Sequence, residues 1–281
     1  MMNRIIYSLL FLLHSVFLHA QITYPRDATD VSVVDSGYIK VFYAFNATNI
    51  EDSETYDDLH LLEIGMKYSK FYSFFTSNSD SLVTDWKRKN PNSSASPITL
   101  GPRGKSRKWW SEYSASEYFK YFTDNTLTEY CRMPHTLRKV NSFYLEDIPK
   151  INWEIHNDTM RVADYICQKA TCHFRGRDYI AWFTPDIPID NGPWKLGGLP
   201  GLILKASDRD DKYCFECIKI ELWKYPIKKH NEYNSYNKEN REKILKLQKD
   251  MNEDFYKVAN LVPAFGSKRP EKKVYDPLEL E

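Results

Sequence analysis

The side chains best suited to chemistry in this 281-residue chain are five cysteines, Cys131, Cys167, Cys172, Cys214 and Cys217, and beyond residue 20 five histidines, His60, His135, His156, His173 and His230. The histidines are scattered without the spacing that holds a metal ion. No HExxH, GxSxG, phosphate-cradling or GxGxxG dinucleotide pattern occurs, so neither a metal nor a cofactor is expected. Cys172-His173 is the one adjacent pair of soft ligands, and neighbours on a strand point to opposite faces. A nucleophile made from Cys167 or Cys172 with His156 or His173 is chemically conceivable. Asp186, Asp190, Asp208, Asp210 and Asp211 offer carboxylates for a paired acid and base or for calcium, and turn-forming surroundings explain them equally well.

What the thiols do depends on the compartment. Arg4 is followed by an apolar stretch from Ile5 to Leu18 and then by His19-Ala20 before Gln21, the pattern of a secretory signal peptide over residues 1–20. The apolar run is shorter than the roughly 20 residues that cross a bilayer, and no later segment approaches that length. The chain is therefore expected to be exported, periplasmic or secreted, and not membrane-embedded. Disulfides persist there, so cross-strand bridges or buried thiols are expected among the five cysteines, with at least one left unpaired. Cys214 and Cys217 stand three apart on a predicted strand and face opposite sides, which argues against a redox CxxC. Losing Arg4 brings the 39 basic residues level with the 38 acidic ones, so no net charge draws the chain to nucleic acid.

These groups must be positioned by a chain with 20 tyrosines, 15 phenylalanines and 7 tryptophans, a composition that favours half-buried strands. Alternation predicts strands over 36–45, 61–65, 67–73, 118–122, 126–131, 140–145, 152–155, 161–174, 178–183, 202–207 and 213–223. Thr123-Asp124-Asn125 is a hairpin signal, and Asn157-Asp158 and Arg175-Gly176 are turn signals. Residues 78–89 read as a short helix. The stretch 237–258 carries a helical stripe at Ile244, Leu245, Leu247, Met251, Phe255 and Val258 that should close one side or end of the sheet. A mobile insertion is expected at about 90–108, where Ser, Pro, Gly and basic residues crowd before Trp109-Trp110.

The most distinctive stretch runs from Trp182 through Asp186-Ile187-Pro188 and Gly192-Pro193-Trp194-Lys195 to Gly198-Leu199-Pro200-Gly201-Leu202-Ile203. It resembles the GLPGLI family of exported Bacteroidetes proteins. The namesake motif is intact, and Cys167-Gln168-Lys169-Ala170 and Gly176-Arg177 look like that family too. The resemblance is strongest over about 153–208. It implies an exported protein of a family without an established biochemical activity. Physically, Pro185, Pro188, Pro193 and Pro200 fix φ, while Gly192, Gly197, Gly198 and Gly201 allow positive φ or close approach, with positive φ expected at Gly201. The resulting structured loop either plugs a curled sheet through Trp194, Leu199 and Leu202, or is a rigid binding platform of Trp182, Asp186, Pro188, Gly192, Pro193, Trp194, Lys195, Gly198, Leu199, Pro200 and Gly201 whose exposed Trp194, Lys195 and Asp186 touch a ligand or partner.

The expected fold is a single α+β domain over 21–281. Its core is a mainly antiparallel, strongly bent, half-open barrel-like sheet with one or two packing helices, one of them C-terminal. Such a shape suits a periplasmic binding or accessory module for an envelope transport or assembly complex, with a hydrophobic or peptide-like ligand. The alternatives are an envelope hydrolase gathering Asp186, His173 and a Cys or Ser, and a structural scaffold.

Overall fold

The computed structural model describes residues 23–105, 110–263 and 268–281. The expected signal peptide, residues 106–108 of the expected insertion, and Trp109 lie outside the described residues.

Twelve strands form one sheet: β1 (Val31–Phe45), β2 (Asp58–Gly65), β3 (Tyr68–Ser73), β4 (Ser116–Tyr121), β5 (Thr126–Cys131), β6 (Ser142–Asp147), β7 (Glu154–Val162), β8 (Tyr165–Phe174), β9 (Arg177–Thr184), β10 (Leu202–Asp208), β11 (Cys214–His230) and β12 (Asn237–Lys238). Their order is β12-β6-β5-β4-β3-β2-β1-β11-β10-β9-β8-β7. Among the described residues every strand pairing is antiparallel except the two-residue contact of β12 with β6. The sheet does not close into a barrel.

It is nevertheless strongly curled. Between β6 and β8 lie eight strands, so in a flat sheet their axes would be roughly 43 Å apart at the usual inter-strand spacing. Yet Arg175, in the turn that leaves β8, is ion-paired with Glu146 on β6. Only a sheet bent round on itself brings those two side chains together. Alternation along β1 explains how each face is covered. Val41, Tyr43 and Phe45 point into the main core with Leu62, Ile64, Phe71 and Phe215, whereas Phe42 and Ala44 turn to the other face under helix α1 (Phe74–Lys89), beside Leu59 and Phe75. Helix α1 starts where Ser73 accepts a hydrogen bond from the Thr76 amide at 3.0 Å. After a single helical turn, α2 (Glu112–Ala115), the long α3 (Arg241–Val258) begins at an Asn240 cap. Its buried Ile244, Gln248, Met251 and Phe255 follow the helical period. Ile244 and Met251 cover a second core of Trp110, Cys131, Met133 and Tyr144.

Three local expectations change. Residues 161–174 are not one strand, because Ala163 takes φ +48° and turns the chain from β7 into β8. Asn157-Asp158 is not a turn but lies within β7, where a bulge between Ile155 and Thr159 absorbs the irregularity. The predicted helix over 237–258 starts only at Arg241, since Asn237 and Lys238 pair with β6. Arg175 and Gly176, both at positive φ, form the two-residue turn that pairs Phe174 with Arg177. Residues 90–105 hold neither helix nor strand but are pinned by the Leu100 amide to Ser79 Oγ at 3.1 Å and the Lys105 amide to the Tyr56 carbonyl at 2.7 Å.

Candidate functional site

The motif loop, 185–201, leaves β9 and returns as β10, and its side chains go inward. Trp194 is 2% exposed and Lys195 1%, and Leu196, Leu199 and Leu202 are buried with them. The platform reading needed Trp194 and Lys195 at the surface, and neither is there. The exposed residues of the loop are Pro185, Asp186, Pro188, Asp190, Gly198 and Pro200, a thin rim, while Gly192, Pro193 and Gly201 are buried and Trp182 is half-buried. Phe174 meets the Trp194 ring edge-on with centroids 5.6 Å apart.

Two buried lysines clamp this loop to the far half of the sheet. Lys120, on β4, reaches across to donate to the Leu196 carbonyl at 2.5 Å and to Asn191 Oδ1 at 3.0 Å. Burial pushes its pKa down to about 8, with Asp190 working the other way. Lys195 reaches in the opposite direction, to Glu129 on β5 at 3.3 Å, to the Tyr144 hydroxyl on β6 at 2.5 Å, and to Glu279. Burial alone would strip Lys195 of its proton, but Glu279, Glu129 and Glu146 outweigh it and hold the pKa above the usual lysine value. The same pairing keeps Glu129 below the ordinary carboxylate range against its own burial. Arg175 and Arg241 also pair with Glu279.

Glu279 belongs to a segment, 275–281, for which the sequence patterns predict no element. Its Leu278 is buried in the main core. Arg177 Nη2 donates to Asp276 at 2.6 Å and to the Pro277 carbonyl at 2.5 Å, and Arg177 Nε donates to the Leu278 carbonyl at 3.2 Å. The one sequence signal is compositional: two acidic residues flank Pro-Leu in Asp276-Pro277-Leu278-Glu279, outside any periodic element.

The remaining predicted groups do not converge. All five cysteines are free, with Cys214 half-buried and the others buried. The expected bridges fail on geometry. Cys167 and Cys172 share β8 about 17 Å apart, beyond the roughly 7 Å within which bridged Cα atoms lie, and no other two of the five stand at disulfide distance. Cys214 and Cys217 face opposite sides of β11, as their odd spacing requires. Burial raises the thiol pKa values to about 11 at Cys167 and Cys214 and about 12 at Cys172 and Cys217, which disfavours the thiolate a nucleophile needs. His173 is bonded to Asp178, not Asp186, and His156 to Thr171. Asp208 pairs with Arg177, and among the described residues no cluster of three or more Cys, His, Asp or Glu side chains could hold a metal.

One carboxyl stands apart. A cleft of about 90 Å³ with mixed polar and apolar walls opens between α1, the insertion and residues 110–114, and Asp58 lines it. Asp58 is 2% exposed, and its Oδ1 accepts from the Leu59 amide at 2.7 Å and from Ser73 Oγ at 2.9 Å. Burial pushes its pKa up to about 8 despite those two bonds. A folded-state value above the unfolded one, about 3.9, favours the folded protein below pH 4 and loses that contribution as pH rises through 8. Asp58→Asn mimics the protonated group. It should therefore raise the melting temperature at pH 8.5 by several degrees and flatten its decline between pH 5 and 8.5. An unchanged decline in the variant would mean that Asp58 is not the titrating group.

Among solved structures the chain is similar to PNGF-II in its P21 and C2 crystal forms, each at 12% identity and a TM-score of 0.44. The alignments cover 76% and 78% of this chain but 33% and 32% of the other, so the chain spans about a third of the length of the solved chains it matches. No curated protein matches it. A family model described as "Protein of unknown function (Porph_ging)" matches residues 175–205, which run from the β8–β9 turn through β9 and the motif loop into β10, so it is over the loop-bearing hairpin that the chain is similar to that family.

Proposed function

We propose that the chain is an exported, GLPGLI-type protein that works as a periplasmic or secreted binding module, accessory to an envelope transport or assembly complex, and that its ligand is peptide-like. The observation that carries this reading is the irregular segment 275–281, bent at Leu278, held by Arg177, Lys195 and Arg241 against the curled sheet. A fold that accommodates a short non-helical stretch of chain through side-chain and carbonyl contacts has the means to accommodate a ligand of that kind. The inward-facing motif supports the same division of labour: the Gly-Pro loop and its lysine hold the curl, and recognition belongs to other surfaces. The scaffold alternative draws on that same burial. The hydrolase alternative has less behind it, because Asp186 and His173 have separate partners and the thiols are held protonated.

Crosslinking in cells, followed by capture of the tagged full-length protein from its own envelope and mass spectrometry of proteins and small molecules, tests the reading. Recurrent capture of one envelope complex or of a defined peptide is the expected result. Repeated empty captures would favour the scaffold. Trp194 is unsuitable as an interface probe in this experiment, because replacing a ring so deeply buried would disturb packing first.

A further inference from the structure

Five basic side chains surround the segment 275–281: Arg175, Arg177, Lys195, Lys212 and Arg241. Three carboxylates of the sheet, Glu129, Glu146 and Asp208, pair with members of this set. Five cations against three anions leave two positive charges over, and Asp276 and Glu279 supply the two negative ones. Lys212 Nζ holds the other oxygen of Asp276 at 2.7 Å. Between the two acids, Leu278 enters the core, and its carbonyl also accepts from the Tyr179 hydroxyl at 3.4 Å. The Leu280 amide donates to the Arg175 carbonyl at 3.0 Å. The segment is thus held through an acid, a leucine anchor at a bend of the backbone and a second acid, with charge complementarity fixing the register.

The connection to the rest of the chain permits exchange. Sixteen residues separate the end of α3 at Val258 from Tyr275, a reach of up to about 50 Å when extended. Residues 268–274 are exposed coil, with Val274 98% exposed. Arg269 and Lys272 tie this stretch to Asp254 and Glu253 through ion pairs whose basic ends are exposed, and the Lys273 amide donates to the Glu253 carbonyl at 3.0 Å, contacts that a local opening of the coil can break. The segment could leave the groove without any strand of the sheet being undone.

We infer that the groove holding residues 275–281 is a binding site for a short acidic peptide segment of a partner protein, with the chemistry Asp-Pro-Leu-Glu, and that the chain's own segment occupies it as a displaceable stand-in. The inference rests on the binding-module reading, but its test uses purified protein and stays separable from the envelope capture. The groove can bind peptide even if no complex is captured, and a complex can be captured through another surface.

Fluorescein-labelled Tyr-Asp-Pro-Leu-Glu-Leu-Glu is titrated by anisotropy against the full-length protein and two full-length variants. Asp276→Asn with Glu279→Gln weakens the internal grip while keeping its shape, and Leu278→Asp expels the anchor. A tethered segment competes at an effective concentration near the millimolar range, so the unaltered protein should bind the labelled peptide weakly. Either folded variant should bind it at least about tenfold more tightly, the effect of losing one charged contact's worth of competition. Adding Lys212→Glu, an exposed change, should lower that affinity again, and a peptide with Asn and Gln in place of the acids should bind less. Equal affinity for the unaltered and altered proteins, or for the acidic and neutral peptides, would overturn the inference. So would dimerisation of the variants without peptide binding, which would make a second copy the occupant. Should neither variant fold, refolding on addition of the acidic peptide supports the groove, and failure to refold makes the segment an integral part of the core.

Discussion

Gly201→Val should leave little or no folded protein, and Gly201→Ala should be nearly as damaging. A Cβ at this position would stand 2.2 Å from the Thr184 carbonyl oxygen, 2.7 Å from its carbon and 3.1 Å from Pro185 Cα. All three are backbone atoms at the point where β10 begins to pair with β9 through Leu202 and Thr184. No side chain can swing aside to make room, so the hairpin that carries the motif loop would have to open. The requirement is close approach and not the positive φ expected from the sequence, since Gly201 does not adopt it. The loss should exceed about 4 kcal/mol, the range reached when a strained or overpacked position has no outlet. Gly198 supplies the contrast. It has φ +88°, but the nearest atoms to an added Cβ lie at 3.5 Å or beyond. Gly198→Ala should therefore cost about 1–2 kcal/mol, from backbone strain alone. Soluble yield and melting temperature of the three variants decide the matter, and a Gly201→Ala protein that melts within two or three degrees of the parent would refute the close-approach argument.

Lys195→Met should destabilise the protein by about 3–5 kcal/mol, because it leaves buried carboxylates without their counter-charge while roughly preserving side-chain volume. For a chain of this size that corresponds to a fall in melting temperature on the order of 10 °C. The pH dependence separates this cause from a simple packing defect. In the parent, the lysine keeps Glu129 below its ordinary pKa, so its contribution is present above the unfolded value near 4.3 and is lost as pH falls through the lower folded value. In the variant, burial acts on Glu129 with less opposition and its pKa moves up, so stability is lost as pH rises instead. The gap between parent and variant should then widen from pH 5 to pH 8. A gap that stays constant across that interval would point to lost packing, and the ion cluster would not be what ties the motif loop to β5 and β6.

Much of the local architecture was legible in the sequence. Short-range rules govern it: a two-residue turn needs positive φ, which Arg175-Gly176 provides; alternation in β1 divides core residues from those beneath α1; and a stripe of period 3.6 marks α3. The same rules misplaced the β7–β8 turn, because a bulge and a positive-φ alanine carry no strong residue signature. They also left the motif loop with two readings, since Trp194 and Lys195 have one composition whether they face solvent or core.

The sequence by itself determined that the chain would be a meander of short strands, that Cys214 and Cys217 would face apart, and that the Gly-Pro stretch would be a structured loop. Each of these depends on residues close together in the chain. A strongly bent sheet was already expected from the sequence; tertiary structure alone decided how far the bend goes, until Arg175 meets Glu146, that Lys195 lies among Glu129, Tyr144 and Glu279, and that residues 275–281 pack against the sheet at Arg177. Those contacts join residues 29 to 100 positions apart. Their energies come from desolvation and charge pairing that exist only once the core has formed, so no local pattern could announce them.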